Sequence, residues 1–292
     1  MELNSLIMNA DRLNKSYVTS MALTILFVLL DVFLVSGYTF SEKQYLDKQI
    51  RSEKKICERW GEIFVNNNSY LVRNNIWNDK AGEQCITINL DKPVFQVIST
   101  NHPSNSQGVP ASYPSIIKGC HPWGSPCTSG WSSQKLQNIQ KINSNWVLEG
   151  TNAKGQWNAT YELWINPSTD TKGPPSGTEL MIWLKSNGGI VPGGLKVGTT
   201  KLREKIKGQW QPIEYDVYHA SPWSKWQHYV AYQRRTPTEQ VEINLKDALD
   251  DCVSRDWCEP QWHLVAIEAG FEIWQGGIGL KIVDFSASID VK

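Results

Sequence analysis

A chain of 292 residues is long enough for one large domain or two, and its 29 Lys and Arg balance its 29 Asp and Glu. That neutrality excludes the basic surface of a nucleic-acid binder, and no polybasic run is present to hold anionic lipid. With 14 Trp, 21 Gly and 14 Pro and few long apolar helical patterns, the composition favours an all-β domain with aromatic rings on its surface. Exposed tryptophan is unfavourable unless it binds something, and the faces of sugar rings are a flat, half-apolar partner for it.

In chain order, residues 1–20 are polar and precede the apolar run Met21 to Val35, which only Asp31 interrupts. Residues 1–40 read as a cleaved signal peptide or as an uncleaved membrane anchor through residues 21–40, with Met1 or Met21 as the start. Either way the remainder is expected to be secreted or extracellular. Ser41 to Ile56 is dense in charge and free of Gly and Pro, which suggests a helical or disordered spacer over residues 41–56. The domain, residues 57–292, then reads as short strands between turn clusters. These are Tyr70–Trp77, Gln84–Asn89, Val94–Ser99, Asn145–Glu149, Trp157–Ile165, Glu179–Leu184, Ile213–Tyr218, Gln227–Tyr232, Val241–Ile243, Trp262–Leu280 and Gly279–Asp290. One short helix is predicted over Asn244–Asp251. So many strands at turn-separated intervals indicate a sandwich or jelly roll. Residues Asn187–Thr200 and Ser221–Trp226 read as loops.

The six cysteines fall into local pairs, Cys57 with Cys85, Cys120 with Cys127 and Cys252 with Cys258. Proximity alone suggests this pairing among 15 possible ones. None has metal-site spacing, and a hydrophobic leader upstream favours disulfides in an oxidising compartment. His121, His219, His228 and His263 are scattered and read as structural or peripheral rather than as metal ligands.

Chemistry enters through three strands. If side chains alternate, Trp262 to Leu280 puts Trp262, Leu264, Ala266, Glu268, Gly270, Glu272 and Trp274 on one face, opposite His263, Val265, Ile267, Ala269, Phe271 and Ile273. Glu179, Met181 and Trp183 likewise share a face, as do Asn158, Thr160, Glu162 and Trp164. Carboxylates repeatedly set beside tryptophan suit a cleft that stacks flat rings and moves protons. Glycoside hydrolysis needs two carboxyl groups about a sugar–oxygen bond, and aromatic platforms with amide side chains suit the sugars. Periodicity cannot choose between Glu268 and Glu272. No GxSxG, Walker or HExxH motif is present.

Several ordered motifs resemble glycoside hydrolase family 12, the small retaining endo-β-1,4-glucanases. They are NNIWN at Asn74–Asn78, GCHPWGSPC at Gly119–Cys127, WNATYELW at Trp157–Trp164, ELMIWL at Glu179–Leu184 and AGFEIW at Ala269–Trp274. The resemblance covers about Cys57 to Val291 and implies a concave jelly roll of two antiparallel sheets. It implies Glu179 as nucleophile and Glu272, rather than Glu268, as acid and then base, with no cofactor and no metal. Glu162 stands where the family usually has Asp, as a supporting carboxylate; Asn78 replaces a Gly. Trp77 falls at a sugar-stacking position, and Asn75, Asn158, Met181, Trp183 and Trp274 are expected to line the cleft. The Cys57–Cys85 pair resembles a family disulfide. Retaining chemistry implies carboxyl groups about 5–5.5 Å apart.

The resulting expectation is a monomeric endo-hydrolase of cellulose, mixed-linkage β-glucan or xyloglucan, with the two loops named above setting the preference. The alternative is a catalytically inactive glucan-binding protein using the same cleft. Sequons occur at Asn67 and Asn158, and the second, in a presumed cleft strand, is expected to stay unmodified.

Overall fold

Strands dominate because β-branched and aromatic residues alternate with polar ones over short, turn-bounded runs. The computed structural model describes residues 52–103 and 108–292; the leader and all but the end of the spacer lie outside the described residues. One layer runs in the order β1 (Glu53–Ile56), β4 (Gln84–Asn89), β5 (Val94–Thr100), β16 (Lys281–Val291), β8 (Ile139–Glu149) and β14 (Gln240–Asn244). The other runs β11 (Leu195–Ile206), β12 (Gln209–Ala220), β13 (His228–Arg234), β10 (Thr178–Asn187), β9 (Gly155–Asn166), β15 (His263–Gly276), β6 (Ser115–Gly119), β3 (Tyr70–Arg73) and β2 (Glu62–Val65). A two-residue strand, β7 (Gln134–Lys135), pairs with the start of β15.

The layers pack face to face as the expected all-β jelly-roll sandwich. Phe95 and Phe271 meet edge-on at 5.9 Å, and Trp146 meets Tyr161 at 5.0 Å. Two details depart from a pair of separate antiparallel sheets. A single register pair, Glu204 opposite Ile243, makes the layers hydrogen-bonded neighbours. Moreover β10 and β13 run parallel, Glu179 lying opposite Tyr229.

Burial distinguishes outer from central strands. In β4 buried and half-buried residues alternate, as in a strand with one face on the core. From Trp157 to Asn166, β9 is buried at every residue, so both its faces are covered. One is covered by the shared core, the other by the carboxylate and tryptophan side chains described below. We call this second one the open face.

The sole α-helix among the described residues, α1 (Lys246–Ser254), starts two residues later and ends three later than predicted. It buries Ala248, Leu249 and Cys252, and Cys252 is bonded to Cys258. Cys57 is bonded to Cys85 and Cys120 to Cys127, as proximity suggested. No described helix is long and apolar enough to cross a membrane.

Several predicted boundaries need correcting. Glu53–Ile56, read as spacer, pairs with β4 through Ile56 opposite Ile86. Leu195–Thr200, read as loop, belongs to β11. The Tyr70–Trp77 strand stops at Arg73, and Asn75 beyond it has a positive φ of 42°, a region Asn tolerates. In β15 a bulge between Leu264 and Ala266 breaks the alternation. Trp262 and Leu264 therefore join the shared core, whereas Val265 packs with Ala266, Leu71, Ile117 and Trp164 on the open side. Gly119 permits this: at φ 134° it lies where a Cβ would stand 2.5 Å from the Val265 carbonyl oxygen.

Candidate active site

Three adjacent strands carry the carboxylates. In the pairing of β9 with its two neighbours, Glu162 lies opposite Met181 on one side and Glu268 on the other. Glu272 lies opposite Asn158, and Glu179 opposite Trp164. Strand alternation puts all of them on the open face. The core sides of the same strands, Leu180 and Ile182, Tyr161 and Leu163, Ala269 and Phe271, are fully buried.

Each carboxyl has its own surroundings. Asn158, wholly buried, grips Glu272 twice: its Nδ2 donates to Oε2, and its Oδ1 accepts the Glu272 backbone N–H at 3.1 Å. Both ends of the amide are engaged in a closed strand, which leaves no room for a glycan on this sequon. Asn158 thus touches a carboxyl rather than open cleft. Glu179 is 8% exposed, and its Oε2 is buried without a hydrogen-bond partner. Glu272 keeps part of its surface open.

Burial disfavours the charged form of a carboxyl, and neighbouring anions disfavour it further. Burial and then the Glu272 charge push Glu179 up to about 8, against the lowering influence of Glu162 and the Trp226 indole. Burial also pushes Glu272 up to about 7, against the Asn158 amide. Glu162 is raised well above the usual carboxylate range, by burial first and then by Glu179, Glu268 and Glu272.

Aromatic residues line the rest of the open face. Met181, Trp183 and Trp274 cluster with Tyr229 and Ala231, and the two indoles stand 6.3 Å apart. The Trp183 Nε1 is a buried donor without a partner. The 221–226 loop closes on itself through reciprocal backbone bonds between Trp223 and Trp226. It sets Trp226 edge-on to Trp164 at 5.5 Å and Trp223 beside Tyr229 at 4.8 Å. Trp77 stands 38% exposed. Asn75 is linked to the carboxylates through Tyr113, whose N–H it accepts at 2.9 Å and whose hydroxyl donates to the Thr160 carbonyl at 3.1 Å.

Met181, Trp183, Trp274 and the three glutamates thus come together as the alternation implies, while Asn75 reaches them only through Tyr113. Sequence reasoning missed Tyr113, Tyr229, Ser115 and Trp226. All four contact the carboxylates or feel their charge: the hydroxyls of Tyr113 and Tyr229 are raised well above 10, by burial first and then by the glutamates. For β6 a signal existed, since Ser-Ile-Ile-Lys between Pro114 and Gly119 is a short turn-bounded apolar run. For Tyr113, in a loop, there was none; Trp226 ends a loop already expected to set the substrate preference.

Comparison with known proteins agrees with this geometry. The family model for glycosyl hydrolase family 12 matches residues 68–290. Endoglucanase S of Pectobacterium parmentieri is 28% identical over 242 residues, 79% of this chain and 85% of that protein. The endoglucanase cel12A structure from Rhodothermus marinus is 37% identical with a TM-score of 0.73, across 82% of this chain and 100% of that one. A metagenome-derived family 12 endoglucanase is 39% identical with a TM-score of 0.74, across 82% and 99%. A match over most of the chain, joined to carboxylates on three neighbouring strands of a jelly roll, shows that the chain belongs to glycosyl hydrolase family 12.

Proposed function

We propose that this chain is an endo-acting, retaining β-1,4-glucanase, secreted or held at the cell surface and working as a single chain. Family membership makes it a glycoside hydrolase of β-glucans. The observation that carries the finer reading is the open-face constellation of Glu179, Glu162 and Glu272 walled by tryptophans. Three disulfides support an oxidising, extracellular setting. Relatives named as endoglucanases support the bond cleaved.

In the reaction, the Glu179 carboxylate attacks the anomeric carbon while Glu272 gives its proton to the departing oxygen. Water then gives a proton to Glu272 as it attacks the glycosyl-enzyme, releasing Glu179 and the sugar with its anomeric configuration retained. A carboxyl poised at about 7 is suited to act first as acid and then as base. The order of the two raised values, Glu179 above Glu272, would by itself leave the resting proton on the nucleophile. The chemistry needs the opposite arrangement, a charged Glu179 to attack and a proton on Glu272 to give away, and only molecules in that state turn over. We therefore assign the proton to Glu272 in the productive state.

The test is reducing-sugar release from carboxymethylcellulose, barley β-glucan and xyloglucan by wild type and Glu179→Gln, with NMR of the first-formed anomer. Release that collapses in the variant, with the β-anomer formed first, is expected. A folded wild type that releases sugar from none of the three would establish the glucan-binding alternative, and an α-anomer would replace retention by inversion.

A further inference from the structure

The site contains a fourth carboxylate that this chemistry leaves unused. Glu268 is wholly buried, one register pair across from Glu162 and on the same face. Three groups address its oxygens. The Ser115 hydroxyl donates to Oε2 at 3.0 Å, the Trp164 indole donates to Oε1 at 3.1 Å, and His121 Nδ1 meets Oε1. An indole N–H can only donate, and a hydroxyl and an imidazole N–H donate readily to an anion. A carboxylate accepts from all three groups at once, whereas a protonated Glu268 would have to turn the Ser115 hydroxyl or the His121 nitrogen from donor into acceptor. His121 is itself buried, its ring 5.3 Å from Trp123 and 6.3 Å from Trp164. The shell thus draws on β6, β9 and the loop after β6.

We propose that Glu268 is a positioning residue for the hydrolysis: a buried anion held by Ser115, His121 and Trp164, it keeps the adjacent Glu162 carboxyl neutral and donating toward the nucleophile Glu179. Two carboxyls side by side in a dry site do not both ionise, and the donors around Glu268 decide which one does. The same arrangement gives the longer Glu162 side chain a definite state: it carries the proton that faces Glu179. The titratable groups around Glu268 are Glu162 on β9, Glu179 on β10, Glu272 on its own strand, the Tyr113 hydroxyl and His121. Both Glu162 and Glu179 feel its charge.

This inference rests on the proposed hydrolysis and is tested by Glu268→Gln. Glutamine fits the shell, because its oxygen can accept from Trp164 and His121 while its amide donates to the Ser115 hydroxyl. With the Glu268 charge gone, Glu162 is free to ionise in its place, which sets an anion against Glu179 and removes its donor. The acidic limb of the kcat/KM–pH profile should therefore move up by about 1 unit and the alkaline limb should stay in place. A purely structural role would lower the melting temperature and scale the profile without moving a limb. An inactive wild type would refute the hydrolase reading; an active wild type whose acidic limb is unmoved or lowered in folded Glu268→Gln would refute this one. Should that variant not fold, Glu162→Gln and Glu162→Ala decide. A neutral amide donor in place of a neutral acid should retain activity at least about tenfold above Ala, as the lost donor is worth roughly one hydrogen bond. Equal loss in both would overturn the proposal.

Discussion

The contact between Asn158 and Glu272 yields the sharpest quantitative expectation. In Asn158→Ala the Nδ2 donor to Oε2 disappears, together with the acceptor of the Glu272 backbone N–H. A hydrogen bond to a charged group is worth about 1.5–3 kcal/mol, and one pKa unit corresponds to about 1.36 kcal/mol, so the full loss would raise Glu272 by roughly 1–2 units. Glu272 keeps part of its surface open, and water recovers some of that energy, so a rise of about 1 unit is expected. A general acid works protonated, so the rise moves the alkaline limb of kcat/KM to higher pH. The carboxyl also loses its aim, and kcat at the optimum should fall between about 10- and 100-fold. Initial rates on a soluble β-glucan from pH 4 to 10 would read both effects. Asn158→Asp, which sets a second anion beside Glu272, should move the limb further the same way. A limb that stays in place, or moves down, in Asn158→Ala would refute the argument.

Two other expectations follow from the same site. A carboxyl raised from 4.5 to about 8 at Glu179, or to about 7 at Glu272, holds its proton more tightly folded than unfolded. Its contribution is complete below about 4.5 and is lost as pH rises through the folded values. The melting temperature should therefore fall between about pH 5 and pH 8, and Glu179→Gln should flatten that slope; an unchanged slope would contradict the assignment. Trp77→Ala removes a half-exposed ring, so unfolding free energy should stay within about 0.5 kcal/mol. KM should rise about tenfold with kcat nearly constant, and an unaltered KM would remove Trp77 from the substrate path.

What the sequence made legible follows from period-two alternation. Glu179, Met181 and Trp183 could be placed on one face because Leu180, Ile182 and Leu184 are unambiguously apolar on the other. The same rule failed at Trp262 and Leu264, because an inserted residue reverses every side chain beyond it and leaves no compositional mark. Strands β1 and β11 escaped notice because little of either is buried: Ile56 in one, Leu202 and Glu204 in the other. The Glu268 shell was illegible for another reason. His121 and Ser115 lie 147 and 153 residues away from it, and neither the apolar run around Ser115 nor the motif around His121 says which strand they face.

The parallel pairing of β10 with β13 constrains how such an enzyme can be altered. It brings the start of β13 alongside the start of β10, with the N–H groups of Gln227 and His228 both donating to the Gly177 carbonyl. The loop that ends there therefore delivers Trp226 beside Glu179, although the two are far apart in the chain. A loop that shapes the channel wall is normally free to vary in length between relatives. Here its tail is stitched to the backbone two residues before Glu179, so trimming or extending it also disturbs the indole that lowers the pKa of that carboxyl. Changes of substrate range by way of this loop are thereby tied to changes of pH range, and directed evolution for one trait should recover variants shifted in both.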